Sequence, residues 1–235
     1  MINPSDAKDM YRQAMVNFFL YLGTQPITFF TDAQTLPFIQ QIAGPNVDIQ
    51  VRDVDHLPIY NDIPVAEWKA HLEMDTEKYH TWQLGAIWAS KAYFVKEAAE
   101  LDPSESWFVW VDAGCIRTPL WEPFLQDFTQ REFLTQTPGV YIQSLIPLPK
   151  EPMLVEFHPT TKYVAGGIIL FHRDYIQPYL KEYVRVFKLY TDAKKPAICD
   201  QFVIATLAQK NDWVYPIRPR IRTIPDTWFF FLAVL

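Results

Sequence analysis

The residues best placed to do chemistry surround Asp112, which follows a short, continuous apolar run. The run is SWFVWV at 106–111, a pattern typical of a strand covered on both faces. In open α/β sheets, ligands bind beyond the carboxyl ends of the strands. We therefore expect Asp112 to meet a metal ion or a ligand hydroxyl, while Ala113 and Gly114 let a ligand approach the backbone. The competing interpretation is an acid that only caps the following turn.

Lys91 is a second candidate because it lies on the apolar face of a helix predicted over 76–101, capped by Asp75 or Thr76. The apolar residues at helical spacing from it are Leu84, Ile87, Trp88, Val95 and Ala98. A lysine on such a face must reach the surface or meet an anion. That anion is either a diphosphate near the end of the Asp112 strand or the carboxylate of a structural salt bridge.

Two further segments combine small or polar residues with predicted element ends. Gly166 and Gly167 stand near the start of a strand predicted over 164–171, where they let a sugar lie against the backbone or mark a bulge. Asp200 stands at the start of a helix predicted over 199–210. An acid there commonly caps the helix; its functional alternative is a base or acceptor for a substrate hydroxyl.

Other chemistries lack their sequence motifs. The chain has no GxGxxG, GxxxxGKS/T, HExxH, GxSxG or CxxC motif. Dinucleotide oxidoreductases, P-loop NTPases, zinc proteases and serine hydrolases therefore lose their main support. The five histidines show no ligand spacing, although His158 and His172 flank the glycine strand and could join Asp112 on a metal ion.

The elements that must position these residues alternate between strand-like and helix-like patterns, which predicts an α/β layer fold. A length of 235 residues favours one domain. The net charge of -6 argues against a nucleic-acid groove. No stretch resembles a signal peptide or reaches the ~20 apolar residues of a membrane helix, so we expect a cytoplasmic protein. The final WFFFLAVL needs burial in a core or against a partner, and self-association is one expectation.

Several blocks of the chain resemble the HtrL/YibB family, over roughly residues 10–217. They are YHT at 79–81, IWASK at 87–91, FVKEAA at 94–99, WFVWVDAGCIR at 107–117, VAGGIILF at 164–171 and CDQFVIA at 199–205. That family is similar to GT-A glycosyltransferases. The resemblance implies a single Rossmann-like domain over 1–235, with a mixed, mostly parallel central sheet flanked by helices on both faces.

The resemblance also implies a nucleotide-sugar donor, with UDP-sugars favoured, and a divalent cation, Mn²⁺ or Mg²⁺. In GT-A enzymes a D-x-D motif at a strand end holds this metal on the donor diphosphate. Asp112, Gly114 and Arg117 stand at the matching position, and glycine replaces the second acid. A further metal ligand would then come from His158, His172 or Asp200.

The remaining site residues follow from the same comparison. Gly166, Gly167 and Gln201 resemble the acceptor side of the GT-A site. Family members open with a strand beside the nucleotide base, whereas this chain starts at the following helix. Either that strand is missing or residues 26–32 replace it, which makes Thr31 and Asp32 the candidates for contacting the base or ribose.

These observations leave three hypotheses. The first is a glycosyltransferase of polysaccharide biosynthesis that moves a sugar to a hydroxyl of a glycan or protein acceptor, with Asp200 as base if the reaction inverts. The second is an inactive transferase-like module that binds a glycan or protein, favoured by the lost second acid. The third is a metal-dependent hydrolase or phosphotransferase, for which Asp53, Asp55 and Glu156 are scattered acids.

Overall fold

The computed structural model of the chain describes residues 4–22, 25–77, 79–125, 137–151, 153–156, 158, 161–219 and 224–235. The helices are Pro4–Leu22 (α1), Leu36–Ile42 (α2), Val65–Glu73 (α3), Trp82–Ala89 (α4), Lys91–Leu101 (α5), Glu122–Leu125 (α6), Arg173–Ala193 (α7) and Asp200–Lys210 (α8). The strands are Ile27–Thr31 (β1), Val47–Val51 (β2), Trp107–Val111 (β3), Val140–Ser144 (β4), Val164–His172 (β5) and Val214–Ile217 (β6). The protein is therefore mixed α/β, as predicted.

The chain divides into two compact units. Unit 1 comprises residues 1–53, 111–136 and 220–235, and unit 2 comprises residues 54–110 and 137–219. The prediction of one glycosyltransferase-like domain over residues 1–235 stays a prediction.

Unit 1 is built on the parallel pair β1 and β2, in which Ile27 lies opposite Val47 and Thr31 opposite Val51. Helix α2 forms the crossover that a parallel pair requires. The rings of Phe18, Phe19 and Phe29 pack on one another, with the closest centroids 5.0 Å apart. The phenylalanines of α1 are thus part of the core of this unit.

The apolar run at the C-terminus belongs to the same core. It forms a 3-10 segment, Thr227–Ala233, in which Phe229, Phe230, Phe231 and Leu232 are all buried. The segment packs against α6. Burial in a core, one of the two alternatives for this run, is therefore confirmed, and self-association through it stays a prediction.

Unit 2 contains a four-stranded sheet in the order β3-β5-β4-β6. Strand β4 is antiparallel to β5 and parallel to β6. The expectation of one mixed, mostly parallel central sheet is thus corrected: the sheet of unit 2 is mixed and four-stranded, and β1 and β2 form a separate parallel pair in unit 1. The described residues between β4 and β5 form no helix of the kind that usually connects parallel strands, in agreement with the antiparallel pairing.

Strand β3 differs from the predicted strand in its environment. Each of its residues is only half buried, and it lies at an end of the strand order. A strand at the end of a sheet has a described neighbour on one side alone, so an apolar run does not guarantee full burial.

The helix predicted over 76–101 is two helices. Helix α4 begins after Thr81, whose side chain accepts a hydrogen bond from Leu84 N, and Ser90 separates α4 from α5. The Ser90 hydroxyl donates to the carbonyl of Ala86 at 2.7 Å, which is a common bond at such breaks. The predicted cap at Asp75 or Thr76 is wrong because the carboxylate of Asp75 is bonded to His80 instead.

Most other element predictions are confirmed within three residues at each end. They are the helices at 6–22, 174–190 and 199–210 and the strands at 26–30, 47–51, 139–145, 164–171 and 213–217. The helix predicted over 119–133 is a 3-10 turn at Pro119–Trp121 followed by α6, and residues 126–133 lie outside the described residues.

Candidate functional site

Lys91, Gly166 and Asp200 meet in the interior of unit 2. Lys91 is the first residue of α5, and its Nζ donates to the carbonyl oxygen of Gly166 at 2.7 Å and to Asp200 Oδ2 at 3.1 Å. Lys91 and Asp200 are only 5% and 3% exposed. The structure therefore gives Lys91 a protein carboxylate as its anion. It also gives Asp200 a role other than capping, because the Asp200 side chain turns to the lysine.

Gly166 is required by this arrangement. A Cβ at this position would lie 2.7 Å from Asp200 Oδ2, well inside normal van der Waals contact. The strand carries an irregularity here, since the β4–β5 register shifts between Ile142 and Gln143, and Gln143 then pairs with Ala165. The register shift agrees with the bulge interpretation of the glycine pair, while the contact with a sugar stays a prediction.

The groups around Asp200 are protonated and neutral apart from the lysine. Burial raises the pKa of the Tyr179 and Tyr183 hydroxyls well above the usual range, and the Asp200 charge raises both further. Burial, and then the Asp200 charge, raises the pKa of the Cys199 thiol to about 12. Cys199 is therefore a thiol at neutral pH and a poor nucleophile. The hydroxyl of Tyr183 is buried and has no hydrogen-bond partner among the described residues.

This cluster can accept a proton. Lys91 holds Asp200 through Oδ2, and no described residue donates a hydrogen bond to Oδ1. A carboxylate that is compensated by a cation on one oxygen keeps the other oxygen available to a hydroxyl group. A buried ion pair with a donor left unpaired beside it is also an expensive arrangement for stability alone. The cluster is thus the leading candidate site in unit 2.

A second buried cluster lies in the segment before α4, and sequence reasoning missed it. His80 Nδ1 lies 2.9 Å from Asp75 Oδ2, and Lys162 Nζ lies 3.1 Å from Glu77 Oε1. The side chains of His80, Asp75 and Glu77 are 1%, 3% and 8% exposed. The sequence signal was DTEKYHT at 75–81, two acids shortly before a histidine, which the predicted helix start obscured.

The two clusters approach each other at the start of α8. The charge of Glu77 adds to the raised pKa of Cys199, the residue before Asp200. Gln201 and Lys162 line a recess with a cavity volume of about 10 Å³. Its other lining residues are Val155, Glu156, Thr161, Tyr163 and Phe202. A cavity of this size holds at most about one water molecule.

In unit 1, the predicted residues Asp112, Gly114 and Arg117 share one turn. The carbonyl of Asp112 accepts a hydrogen bond from Cys115 N at 3.0 Å. Arg117 Nε donates to the carbonyl of Gly114 at 3.1 Å. The guanidinium lies over the rings of Tyr11 and Phe229, 5.9 and 5.2 Å from their centroids. Arg117 is exposed and held in place, as an anion-binding arginine requires.

Thr31 and Asp32 have structural partners. Asp32 Oδ1 accepts from Thr35 N at 2.7 Å, and Oδ2 accepts from the Thr35 hydroxyl at 3.0 Å. The carbonyl of Thr31 accepts from Arg52 N at 2.8 Å. The Asp32 side chain therefore stabilises the turn before α2. Its predicted contact with a base or ribose stays a prediction.

The described residues offer limited support for the predicted metal ion. They contain no group of three or more His, Cys, Asp or Glu side chains that could hold one. His172 Nδ1 accepts a hydrogen bond from Asp174 N at the start of α7. The His172 ring also packs against Trp107, with centroids 4.8 Å apart. His172 belongs to unit 2 and Asp112 to unit 1, and their predicted role as metal ligands stays a prediction.

No family model, no curated protein and no solved structure matches the chain. The candidate sites are therefore argued from the residues of this chain alone. None of the helices in the described part of the chain is both long and apolar enough to cross a bilayer.

Proposed function

We propose that the chain is a glycosyltransferase that moves a sugar from a nucleotide-diphosphate donor to a hydroxyl group of a glycan or protein acceptor. The observation that supports this most is the buried cluster of Lys91, Gly166 and Asp200. Sequence reasoning selected the three residues separately, for donor, acceptor and base roles, and all three are in contact. The resemblance to GT-A enzymes supplies the substrate class, and the GT-A architecture belongs to this proposal.

In the proposed reaction, Asp200 Oδ1 takes the proton of the acceptor hydroxyl. The acceptor oxygen forms a bond to the anomeric carbon of the donor. The bond from that carbon to the diphosphate oxygen breaks, and its electron pair leaves with the diphosphate. Lys91 compensates the charge of the buried carboxylate through Oδ2 and holds it in one orientation. This assignment describes an inverting reaction; a retaining one needs no such base.

The contacts change one role proposed from the sequence. Lys91 Nζ already binds a carbonyl and a carboxylate, so we reassign it from the donor diphosphate to the positioning of Asp200. Arg117 and Asp112 stay as candidates for the donor phosphates, and Gly167 and Gln201 for the acceptor. A UDP-sugar donor, Mn²⁺ or Mg²⁺ dependence, and a cytoplasmic location remain parts of the proposal.

A thermal-shift panel tests the donor class first. The wild-type chain is heated with UDP, GDP, CMP and their sugars, each with Mn²⁺, Mg²⁺ or EDTA. A ligand present at 100 times its Kd stabilises the native state by about 2.7 kcal/mol, which is a shift of several degrees. A shift for one nucleotide, lost in EDTA, identifies a metal-dependent donor site. Loss of that shift in Asp112→Asn assigns the donor to Asp112.

Asp200 is tested by turnover and binding together. In Asp200→Asn, we expect the nucleotide shift to remain, while release of nucleotide diphosphate in the presence of acceptor falls at least about 100-fold, the usual range for a lost general base. Turnover at the wild-type rate would remove Asp200 from the mechanism. The absence of any nucleotide shift in the wild type would favour the alternative function, an inactive binding module.

A further inference from the structure

The atoms of interest are His80 Nε2 and Glu77 Oε2, which face each other inside unit 2. They lie 4.0 Å apart. Both atoms are buried, and neither has a hydrogen-bond partner among the described residues. Buried polar atoms without partners are uncommon and costly, so two that face each other indicate that something is bound between them.

The neighbouring contacts fix the chemical character of both atoms. His80 Nδ1 donates to Asp75 Oδ2 at 2.9 Å, because a carboxylate oxygen can only accept. In the neutral imidazole, which is the form that binds a metal ion, Nε2 then presents a lone pair. Glu77 Oε1 already accepts from Lys162 Nζ and from the Tyr79 hydroxyl, at 3.1 and 3.2 Å. Glu77 Oε2 is therefore an acceptor as well. Two lone pairs facing each other repel unless a positive species lies between them.

The separation selects the kind of species. An imidazolium N–H donating directly to a carboxylate needs about 2.7–2.9 Å, and 4.0 Å is too wide for that bond. Zinc lies about 2.0–2.1 Å from a histidine nitrogen and about 2.0–2.2 Å from a carboxylate oxygen. The sum of these bond lengths, about 4.1 Å, matches the gap for ligands on opposite sides of a six-coordinate ion, whereas a tetrahedral zinc ion would hold the two atoms about 3.4 Å apart and the gap would have to close by about 0.6 Å.

The surrounding groups also suit a cation. Metal-binding histidines characteristically donate their other ring N–H to a carboxylate, as His80 does to Asp75. Among the described residues, Asp75 and Glu77 bring two acids to the cluster against one cation, Lys162, which leaves a net negative charge. This charge attracts a positive ion to the space between Nε2 and Oε2.

We propose that His80 Nε2 and Glu77 Oε2 bind a divalent transition-metal ion such as Zn²⁺ or Mn²⁺, with Asp75 and Lys162 orienting the two ligands. Two protein ligands leave coordination positions for water or for an oxygen of a bound molecule. This site is distinct from the predicted one at Asp112 and His172. It does not depend on sugar transfer.

The test is isothermal titration of the EDTA-treated, dialysed full-length chain with Zn²⁺ and with Mn²⁺. We expect one site whose affinity falls more than about 10-fold in His80→Gln and in Glu77→Gln, and about 10–100-fold in Asp75→Asn, the range for a lost outer partner. The matched control is His56→Gln, which removes an exposed histidine and should titrate like the wild type. Asp112→Asn should also keep this site.

Two outcomes overturn the proposal. One is a wild-type chain with no saturable site for either metal, which would leave a bridging water or a shared proton between the two atoms. The other is a site that survives unchanged in His80→Gln and Glu77→Gln, provided that circular dichroism shows both variants folded. A variant that fails to fold is replaced by the second of the pair, since each removes one ligand independently.

Discussion

Replacing Gly166 with alanine tests the central contact of the candidate site. The new Cβ would lie 2.7 Å from Asp200 Oδ2, about 0.6–0.7 Å inside ordinary contact. The buried carboxylate must then turn away from Lys91 or the strand must shift. Overpacking of this kind costs about 1–3 kcal/mol, and weakening the buried ion pair adds to it. We expect Gly166→Ala to lower the free energy of unfolding by about 2–4 kcal/mol, or Tm by about 4–16 °C for a chain of this size.

Urea unfolding followed by circular dichroism measures this loss, with Gly167→Ala as the matched control. Residue 167 is next in the same strand, so its side chain would point to the opposite face of the sheet. The decisive comparison is a double-mutant cycle with Asp200→Ala, which removes the clashing carboxylate. Gly166→Ala should cost at least 1 kcal/mol less in that background than in the wild type. An equal cost in both backgrounds would refute the clash as the reason for the glycine.

Three further predictions concern stability. Lys91→Met should cost about 3–5 kcal/mol because it leaves the Asp200 carboxylate unpaired, and adding Asp200→Asn should recover much of that loss in urea unfolding. His71 accepts a hydrogen bond from Ala197 N on Nδ1, and burial lowers its pKa from 6.5, so the unfolded chain binds the proton more readily. Stability should therefore be complete above pH 6.5 and decline as pH falls below it, and His71→Gln should flatten that decline. Phe231→Ala should lower stability by about 3–5 kcal/mol if the C-terminal run is core, and a loss under 1 kcal/mol in thermal unfolding would place it at the surface.

The sequence was most informative where a single physical requirement determines the surroundings of a residue. Lys91 stands among apolar residues at helical spacing, and a lysine there must find a counter-charge. The structure supplies Asp200, 109 positions further along the chain. Periodicity identified the need for an anion, but it held no information on which anion. Only the tertiary contacts of the Lys91 side chain with β5 and α8 could choose a protein carboxylate over a ligand phosphate.

The segment 75–81 shows why local patterns fail when two partners compete for one side chain. Asp75 is a good helix cap by type and position. Its carboxylate instead bonds His80, and the helix begins seven residues later, at Trp82. A cap bond and a buried carboxylate–histidine bond have similar local signatures. The carboxylate–histidine bond differs because it removes two polar groups from water together. Whether it forms therefore depends on the surrounding core and not on the spacing of the residues.

The C-terminal apolar run shows a second limit of prediction from sequence. An apolar segment of this length must be covered, but hydrophobicity is not directional, so the sequence leaves open what covers it. In the structure, Phe229 is buried with the rest of this segment, and the Arg117 guanidinium lies over its ring. The same burial that stabilises unit 1 therefore also holds an exposed cation of the candidate donor site in place.

The buried charges of unit 2 are consistent with the proposed function. A buried ion pair such as Lys91 and Asp200 is often no more stabilising than apolar residues of similar volume, and it forces residue 166 to be glycine. The cluster at His80 leaves two further polar atoms unpaired. Both arrangements lie near the start of α8, and apolar residues would fill this core at a lower cost in free energy. Such groups serve either the uniqueness of the fold or the binding of a proton, a cation or a substrate, and the Asp200 and His80 variants described above distinguish the two.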